Sequence, residues 1–485
     1  MKALAVLTSF IINSTAFAAI INHQIVDDQR NQPYFSSDKR LLKTMPHNVI
    51  PVDHSNLQNK LAKREQKINV TALVNTKLEI PMADICKKAE HLIESSQDLY
   101  ALQLHCPELM GSMIFSTNYH DSLISLGQMN TIHGDVIIMD LDSVVQMQAL
   151  NLITMDGNFI LKGLTSLVSL EIPNLIKVNS IDWEVVPILN NVEWNSNLKV
   201  KQNIIISDTS ITNLDNNFNK VETIEILNIN NNRFLETIKT NIKFITKQFN
   251  VHANAKELEL EMPYLQDVKN ITIRDTSAIW FPNLIHVESS MEFIENSFTH
   301  LEVPNLKDIG GTLGIIDNLL LDTVDFNNVT DIKGGVMIAN NYRLEKIDFF
   351  KSLKQIGGAI HFDGRFKDTQ LDNLKLVKGS AYIKSNSESL DCNKWLKPLN
   401  GRSVIRGGKI NCVSGKKETV VNVKDDGTVI NKKEGINGKQ QADGDDDDDG
   451  NDHEPHTIKQ RNSARSLTSS NIYHVILLLC YLIIG

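Results

Sequence analysis

A short apolar phrase returns thirteen times between Leu109 and Val377, and its spacing leaves few folds open. The phrase is an aliphatic residue, a short spacer, then two apolar residues separated by one. Leu109…Met113-x-Phe115, Ile132…Val136-x-Ile138 and Met155…Phe159-x-Leu161 are the first three copies. Further copies begin at Val178, Val200, Val221, Ile245, Val268, Val287, Ile309, Ile332, Ile356 and Val377, always 19 to 24 residues after the last. A recurrence in this range is the signature of a solenoid, a chain wound into stacked coils.

A second phrase precedes the first in the clearest copies. It reads Leu170-Glu171-Ile172-Pro173-Asn174-Leu175, Leu260-Glu261-Met262-Pro263-Tyr264-Leu265, Ile279-Trp280-Phe281-Pro282-Asn283-Leu284 and Leu301-Glu302-Val303-Pro304-Asn305-Leu306. Alternation at period two means strands rather than helices. Proline, which has no N–H to give a ladder, ends the first strand. Gly310-Gly311, Gly334-Gly335 and Gly357-Gly358 precede the second, and the expectation is that they supply positive φ at a tight corner. One coil cannot bury its apolar face alone. Stacking buries a continuous aliphatic column and pairs the strands in parallel. The expected fold is therefore all-β dominated: a right-handed parallel β solenoid of about 13 coils of about 22 residues each.

Both ends read as addresses. Lys2, the apolar stretch Ala3 to Ile12 and Ala16-Phe17-Ala18 have the three-part layout of a secretory signal peptide, residues 1–18. Ile472 to Ile484 is apolar apart from His474, and it is shorter than the roughly 20 residues a spanning helix needs. Upstream lie the small triplet Asn462-Ser463-Ala464 and the polar spacer Arg465 to Asn471. Triplet, spacer and tail form a glycosylphosphatidylinositol (GPI) anchor signal. Asn462 is the expected attachment residue, with Ser463 the neighbouring choice, and residues 463–485 would be removed. Between the ends, the composition divides the chain into an N-terminal extension at 19–83, partly disordered, the repeat body at 84–412, and a disordered acidic stalk at 413–462.

Secretion gives the cysteines a meaning. Cys480 leaves with the tail, and Cys86, Cys106, Cys392 and Cys412 remain. An even set in an oxidising compartment reads as disulfides, and four cysteines allow three connectivities. The local pairs Cys86–Cys106 and Cys392–Cys412 are the simplest, and each sits where the stack needs an end cap. Zinc, the rival reading, lacks the Cys-x-x-Cys or His spacing. Asn69, Asn270 and Asn328 open Asn-x-Ser/Thr acceptors for N-glycans.

These features together resemble a known family. Cys86, the Ser96-Gln97-Asp98-Leu99 stretch, Cys106 with Met110-Gly111-Ser112-Met113-Ile114-Phe115, and Ile132-His133-Gly134-Asp135-Val136-Ile137-Ile138 carry the resemblance, with the Leu301 to Leu306 phrase and the Cys392/Cys412 close. The chain resembles the fungal extracellular-matrix and sporulation-specific GPI-anchored proteins of the cell wall, over about residues 84–412 plus both signals. The resemblance implies a leucine-rich-repeat-like body similar to receptor L domains and a non-catalytic role. The aspartate-rich stalk departs from the Ser/Thr-rich stalk of the vegetative members, which favours the sporulation-specific branch and spore (ascospore) wall assembly.

Candidate chemistry is sparse. The net charge of -9 argues against a nucleic-acid partner. Asp445, Asp447, Asp449 and Gly450 match the opening of a calcium loop, but the twelfth position is His456 instead of Glu; an acidic tether is the expected reading, with no metal and no cofactor. Acids recur just after the first strand residue, at Glu171, Glu261, Glu302, Asp325 and Asp348. Stacked coils would line them up about 4.8 Å apart, either as solvated surface or as a stripe that binds wall polysaccharide. Trp183, Trp194 and Trp280 are candidates to stack on sugars or to pack on the coils. No Gly-x-Ser-x-Gly, His-Glu-x-x-His or phosphate loop is present. The function expected is a non-enzymatic surface organiser of the fungal wall, bound to the membrane's outer leaflet by GPI lipid or built into the wall. Its expected partners are cell-wall polysaccharide or mannoprotein. A carbohydrate-active enzyme on the same scaffold and a receptor-like protein-binding module are the alternatives.

Overall fold

The computed structural model describes residues 82–396 and 402–430. One coil shows how the sequence makes the fold. Val303-Pro304-Asn305-Leu306 turns tightly, closed by the Leu306 N–H donating to the Val303 carbonyl at 3.2 Å. Asp308–Ile309 then pairs with His286–Val287 before it and Asp331–Ile332 after it. Leu313–Ile316 pairs with Met291–Ile294 and Val336–Ala339. Thr323–Asp325 returns the chain beside His300–Glu302. Every one of these pairings is parallel, so like positions of successive coils stand over one another.

Repetition produces a broad sheet of 23 strands, and a second, narrower face built from Leu123–Ser125 through Asp368–Thr369. Inward residues of both faces meet in one column. Leu301, Val303, Leu306, Ile309, Leu313 and Ile315 of this coil are all fully buried, and each such aliphatic side chain contributes about 1.5–3 kcal/mol on leaving water. The fold is the β solenoid of about 13 coils that the repeat predicts.

The open ends of the column are closed by the two disulfides. Cys86–Cys106 joins the short 3-10 helix Asp84–Lys87 to the end of the helix Ser96–His105, with Cα atoms 5.5 Å apart. That helix starts on a capping box between Ser95 and Asp98, which satisfies backbone N–H groups a helix start otherwise leaves free. Cys392–Cys412 ties the segment before Asn393–Leu396 to the last parallel strand, Lys409–Ser414.

Two expectations need correction. The ordered body continues past 412: Lys417–Val423 folds back antiparallel on Lys409–Ser414, and Val429–Ile430 pairs with it. Val421 and Val423 alternate inward and are buried, so residues 413–430 are part of the C-terminal cap and not of a stalk. The glycine pairs also serve a different purpose. Gly310 and Gly334 do not have positive φ. A Cβ on Gly310 would run into the Glu288 carbonyl oxygen, and one on Gly334 would lie 2.5 Å from the Gly311 backbone. Close coil-to-coil approach, not corner geometry, requires them. The left-handed corners at the ends of most broad-sheet strands are occupied by non-glycine residues, including Asp140, Asp208, Asn231, Asp275, Asp317 and Asn340, with Gly163 the exception after Asn158–Lys162. Asn and Asp tolerate that region better than other L residues.

Just beyond these corners runs a buried asparagine ladder. Asn232 Oδ1 accepts from the Thr209 N–H, Asn254 Oδ1 from the Asn232 N–H, Asn318 Oδ1 from the Asn296 N–H, and Asn341 Oδ1 from the Asn318 N–H, at 2.9–3.1 Å. Each amide nitrogen donates in turn to a carbonyl of the preceding coil, as Asn318 Nδ2 does to Phe293 at 3.0 Å. An outer series explains the Pro-Asn-Leu phrase: Asn305 Nδ2 donates to the Pro282 carbonyl and Asn283 Nδ2 to the Pro263 carbonyl, both at 2.7 Å.

The two series differ in burial, and so in what they contribute. Asn318→Ala strands the Asn296 N–H and the Phe293 carbonyl inside the protein, at a cost of about 1–3 kcal/mol. Asn305→Ala exposes its partner to water and is expected to cost less than about 1 kcal/mol. Urea midpoints of the two variants check this; equal losses would show that the inner ladder carries no special stability.

Candidate binding faces

The second face carries the acidic positions. Glu171, Glu261, Glu302 and Asp325 occupy one outward row, but the row is not uniformly acidic. Glu171 lies between Gln148 and Glu193, Glu261 between Lys239 and Trp280, and only Glu302 and Asp325 stand side by side as a pair from the expected set. Several of the acids are already engaged. Glu171 accepts from Gln146 at 2.6 Å and Gln148 at 3.2 Å, Lys239 Nζ meets Glu261 at 2.6 Å, and Asp325 accepts from the Asn327 N–H at 2.9 Å. Asp348 falls out of line. The Phe326 N–H donates to the Phe349 carbonyl, and the extra residue lets both Phe349 and Phe350 turn into the core.

The tryptophans separate in the same way. Trp183 is wholly buried and stacks on Trp194, ring centroids 5.0 Å apart. Trp194 in turn meets Phe218 edge-on. Trp183 belongs to the core, and Trp194 is partly buried against it. Trp280 is 51% exposed on the second face beside Glu261, the one of the three placed to meet a ligand.

Of the glycan acceptors, Asn328 is exposed and belongs to the outer series, its Nδ2 donating to the Pro304 carbonyl at 2.6 Å. Asn270 is half-buried at the start of the strand Ile271–Arg274 and accepts from the Ser290 N–H at 3.2 Å. Asn69, the anchor residues Asn462 and Ser463, and the Asp445 to Asp449 run lie outside the described residues. Among the described residues no cluster of three or more His, Cys, Asp or Glu is arranged to hold a metal.

The broad sheet holds the polar chemistry that sequence reading missed. Its central outward row runs Leu92, Ile114, Ile137, Ile160, then Asp182, Ile205, Asn228, Asn250, Thr272 and Glu292. Thus the face is aliphatic over the first coils and polar over the middle ones. In the neighbouring row Lys162 binds two carboxylates, Asp182 at 2.9 Å and Glu184 at 2.7 Å. Burial pushes the Asp182 carboxyl up from its ordinary pKa, whereas the Lys162 ammonium draws Glu184 down. Burial likewise lowers the His252 imidazole and raises the Glu292 carboxyl, the latter partly opposed by Arg274. These residues sit at alternating strand positions otherwise filled by Thr, Ser, Ile and Gly. Only the register between coils reveals that they are neighbours.

Glu292 yields a pH test. Its pKa is raised in the folded state, so the fold binds that proton better than the unfolded chain, and stability falls as pH rises through the raised value. Glu292→Gln is therefore expected to raise the melting temperature at pH 7. The gain should fade as pH drops below the ordinary value of 4.5, where the group is protonated in both states. Thermal melts at pH 4 and pH 7 measure it; a gain equal at both would mean that charge burial is not the cause.

Comparison with known proteins follows the same pattern as the fold. Sporulation-specific protein 22 of Saccharomyces cerevisiae is 55% identical over 390 residues, 80% of this chain and 83% of the relative. Sporulation-specific protein 2 of the same yeast is 46% identical over 82% of this chain and 78% of its own length. The cell surface GPI-anchored protein ECM33 of Candida albicans is 31% identical over 63% of this chain and 74% of its own length. No family model and no solved structure matches the chain. With that identity over about four fifths of its length, the chain belongs to the fungal family of GPI-anchored cell-surface and cell-wall proteins that includes the sporulation-specific proteins.

Proposed function

We propose that this protein is a non-catalytic, GPI-anchored surface scaffold that helps assemble the spore wall by ordering wall polysaccharide or mannoprotein along its coils. The observation that carries the reading is the 55% identity to a sporulation-specific protein across 80% of the chain. A rigid, flat-sided rod suits the role: it offers long rows of equivalent positions and keeps them in fixed register.

A carbohydrate-active enzyme is the second reading, and one observation favours it. Asp182 and Glu184 are adjacent carboxylates whose pKa values are driven apart, as in acid/base pairs. Both, however, hold the same Lys162 ammonium. The ammonium occupies the space between them, where the carboxylate pair of a glycosidase must accommodate a sugar and a water. The charge cluster is accounted for as a surface ion-pair network.

The test is genetic. Deleting the gene, with any paralogue of comparable similarity, is expected to give spores whose walls fail against lytic enzymes. The full-length chain should restore resistance. A chain ending before residue 472 should be released into the medium and fail to restore it. The paired variant Asp182→Asn/Glu184→Gln should restore it, since no catalysis is lost. Normal spore walls in the deletion strain would overturn the proposal. Failure of the paired variant, at normal abundance, would favour the enzyme.

A further inference from the structure

The middle of the broad sheet carries a belt of uncharged amides, two of which, Asn228 and Asn250, make no side-chain hydrogen bond between coils among the described residues. Asn228 and Asn250 are direct neighbours in the central row, with Ile205 before and Thr272 after. Ser207 and Asn230 lie beside them in the next row. From Ile205 to Thr272 the row spans three coil steps, about 14 Å at about 4.8 Å per step.

These amides are neither ladder nor cap. The buried asparagines beyond the corner tie coil to coil, the Pro-Asn-Leu asparagines fasten the turns, and Asn230 already takes a coil-to-coil bond from Ser207 Oγ at 2.6 Å, but Asn228 and Asn250 make no such tie. Among the described residues Asn250 makes no side-chain hydrogen bond, and Asn228 only accepts one, from Asn230 Nδ2 at 2.9 Å. Asn203, at the belt's edge, keeps a buried Oδ1 without a partner. Asparagine is disfavoured in strands, where β-branched residues fit better. The same row shows the ordinary choice at Ile114, Ile137 and Ile160. Unfavourable residues with spare donors and acceptors, side by side, call for a ligand that supplies hydrogen bonds at the same pitch.

We propose that this belt binds an extended, uncharged polysaccharide lying along the solenoid axis. The inference deepens the wall-assembly reading and rests on it. Three features fix the chemistry. The amides are neutral and both donate and accept, which matches hydroxyl groups rather than phosphate or carboxylate. The coil step is close to the length of one pyranose in an extended chain, so successive sugars meet successive coils. The belt is a flat row on a sheet, which suits a polymer better than a small molecule, whose sites are concave. Ion pairs border it on one side, at Lys162 with Asp182 and Glu184. Arg274 and Glu292 border it on the other. Each sugar makes few contacts, so affinity comes from many sugars held at once.

The experiment uses the secreted chain ending before residue 472, treated with endoglycosidase so that a glycan at the bordering Asn270 does not cover the row. Sedimentation with insoluble β-glucan, with mannan and with cationic chitosan separates the ligand sources. The unsubstituted protein is expected to sediment with β-glucan or mannan. Asn250→Val, which favours the strand and removes no hydrogen bond, should melt no lower and is expected to lose several-fold in apparent affinity; Asn228→Val/Asn250→Val, which also removes the acceptor of Asn230 Nδ2, is expected to lose at least tenfold, with its melting temperature measured alongside. Tyr100→Ala, on the exposed side of the N-terminal cap helix, should bind normally. Equal binding by the valine variants and the parent would overturn the belt as the site. So would sedimentation with chitosan alone, which points to the acidic second face, or with none of the three. In each of those cases the spore-wall phenotype of the deletion strain still decides the broader function independently.

Discussion

The parallel hydrogen-bonded register between coils is the constraint on which everything else depends. A coil of this length has almost no interior of its own. Its apolar residues are buried only because the next coil presents the same residue at the same place, as Ile309 does above Val287 and below Ile332. Register also dictates where polar groups must be satisfied. At the left-handed corners the backbone breaks from the sheet, and the buried asparagines replace the missing strand partners. Thr276 takes the asparagine's place in one coil, and there its N–H donates to Asn296 Oδ1, so the ladder weakens locally without ending.

Stacking of this kind must be stopped as well as started. The column would expose an apolar cross-section at each end, and the chain uses a different device for each. At the N-terminal end a capped helix is tied down by Cys86–Cys106. At the C-terminal end the sheet changes from parallel to antiparallel, and Val421 and Val423 cover what the last coil leaves open. Both disulfides close short loops within one cap. They constrain the ends without crossing the body, so each coil in between relies on its neighbours alone.

A regular rod leaves function to the variations on its surface. The inward positions are nearly interchangeable aliphatics, whereas the outward rows change character along the axis. The broad sheet passes from aliphatic to charged to amide-rich within a few coils. The second face mixes acids with Lys239 and the exposed Trp280. Such a surface carries site-specific chemistry on a core that is uniform along the axis.

The sequence by itself determined the coil. Period, strand alternation, proline at the turn and cysteines at the ends are all local signals, and each corresponds to a physical requirement that one coil already feels. What lies between coils was decided only in the tertiary structure. Asp348 reads as equivalent to Asp325, yet one extra residue that buries Phe349 and Phe350 removes it from the row. Trp183 and Trp280 look alike in the sequence, but one is core and the other surface. The glycine pairs read as corners and proved to be contacts between backbones. Asn228 and Asn250 are 22 residues apart and become neighbours only through the register of their strands. A repeat specifies its own period reliably because every copy repeats the same burial. It does not specify the offset of a given side chain against the next coil, because a single inserted residue shifts that offset and leaves the period legible.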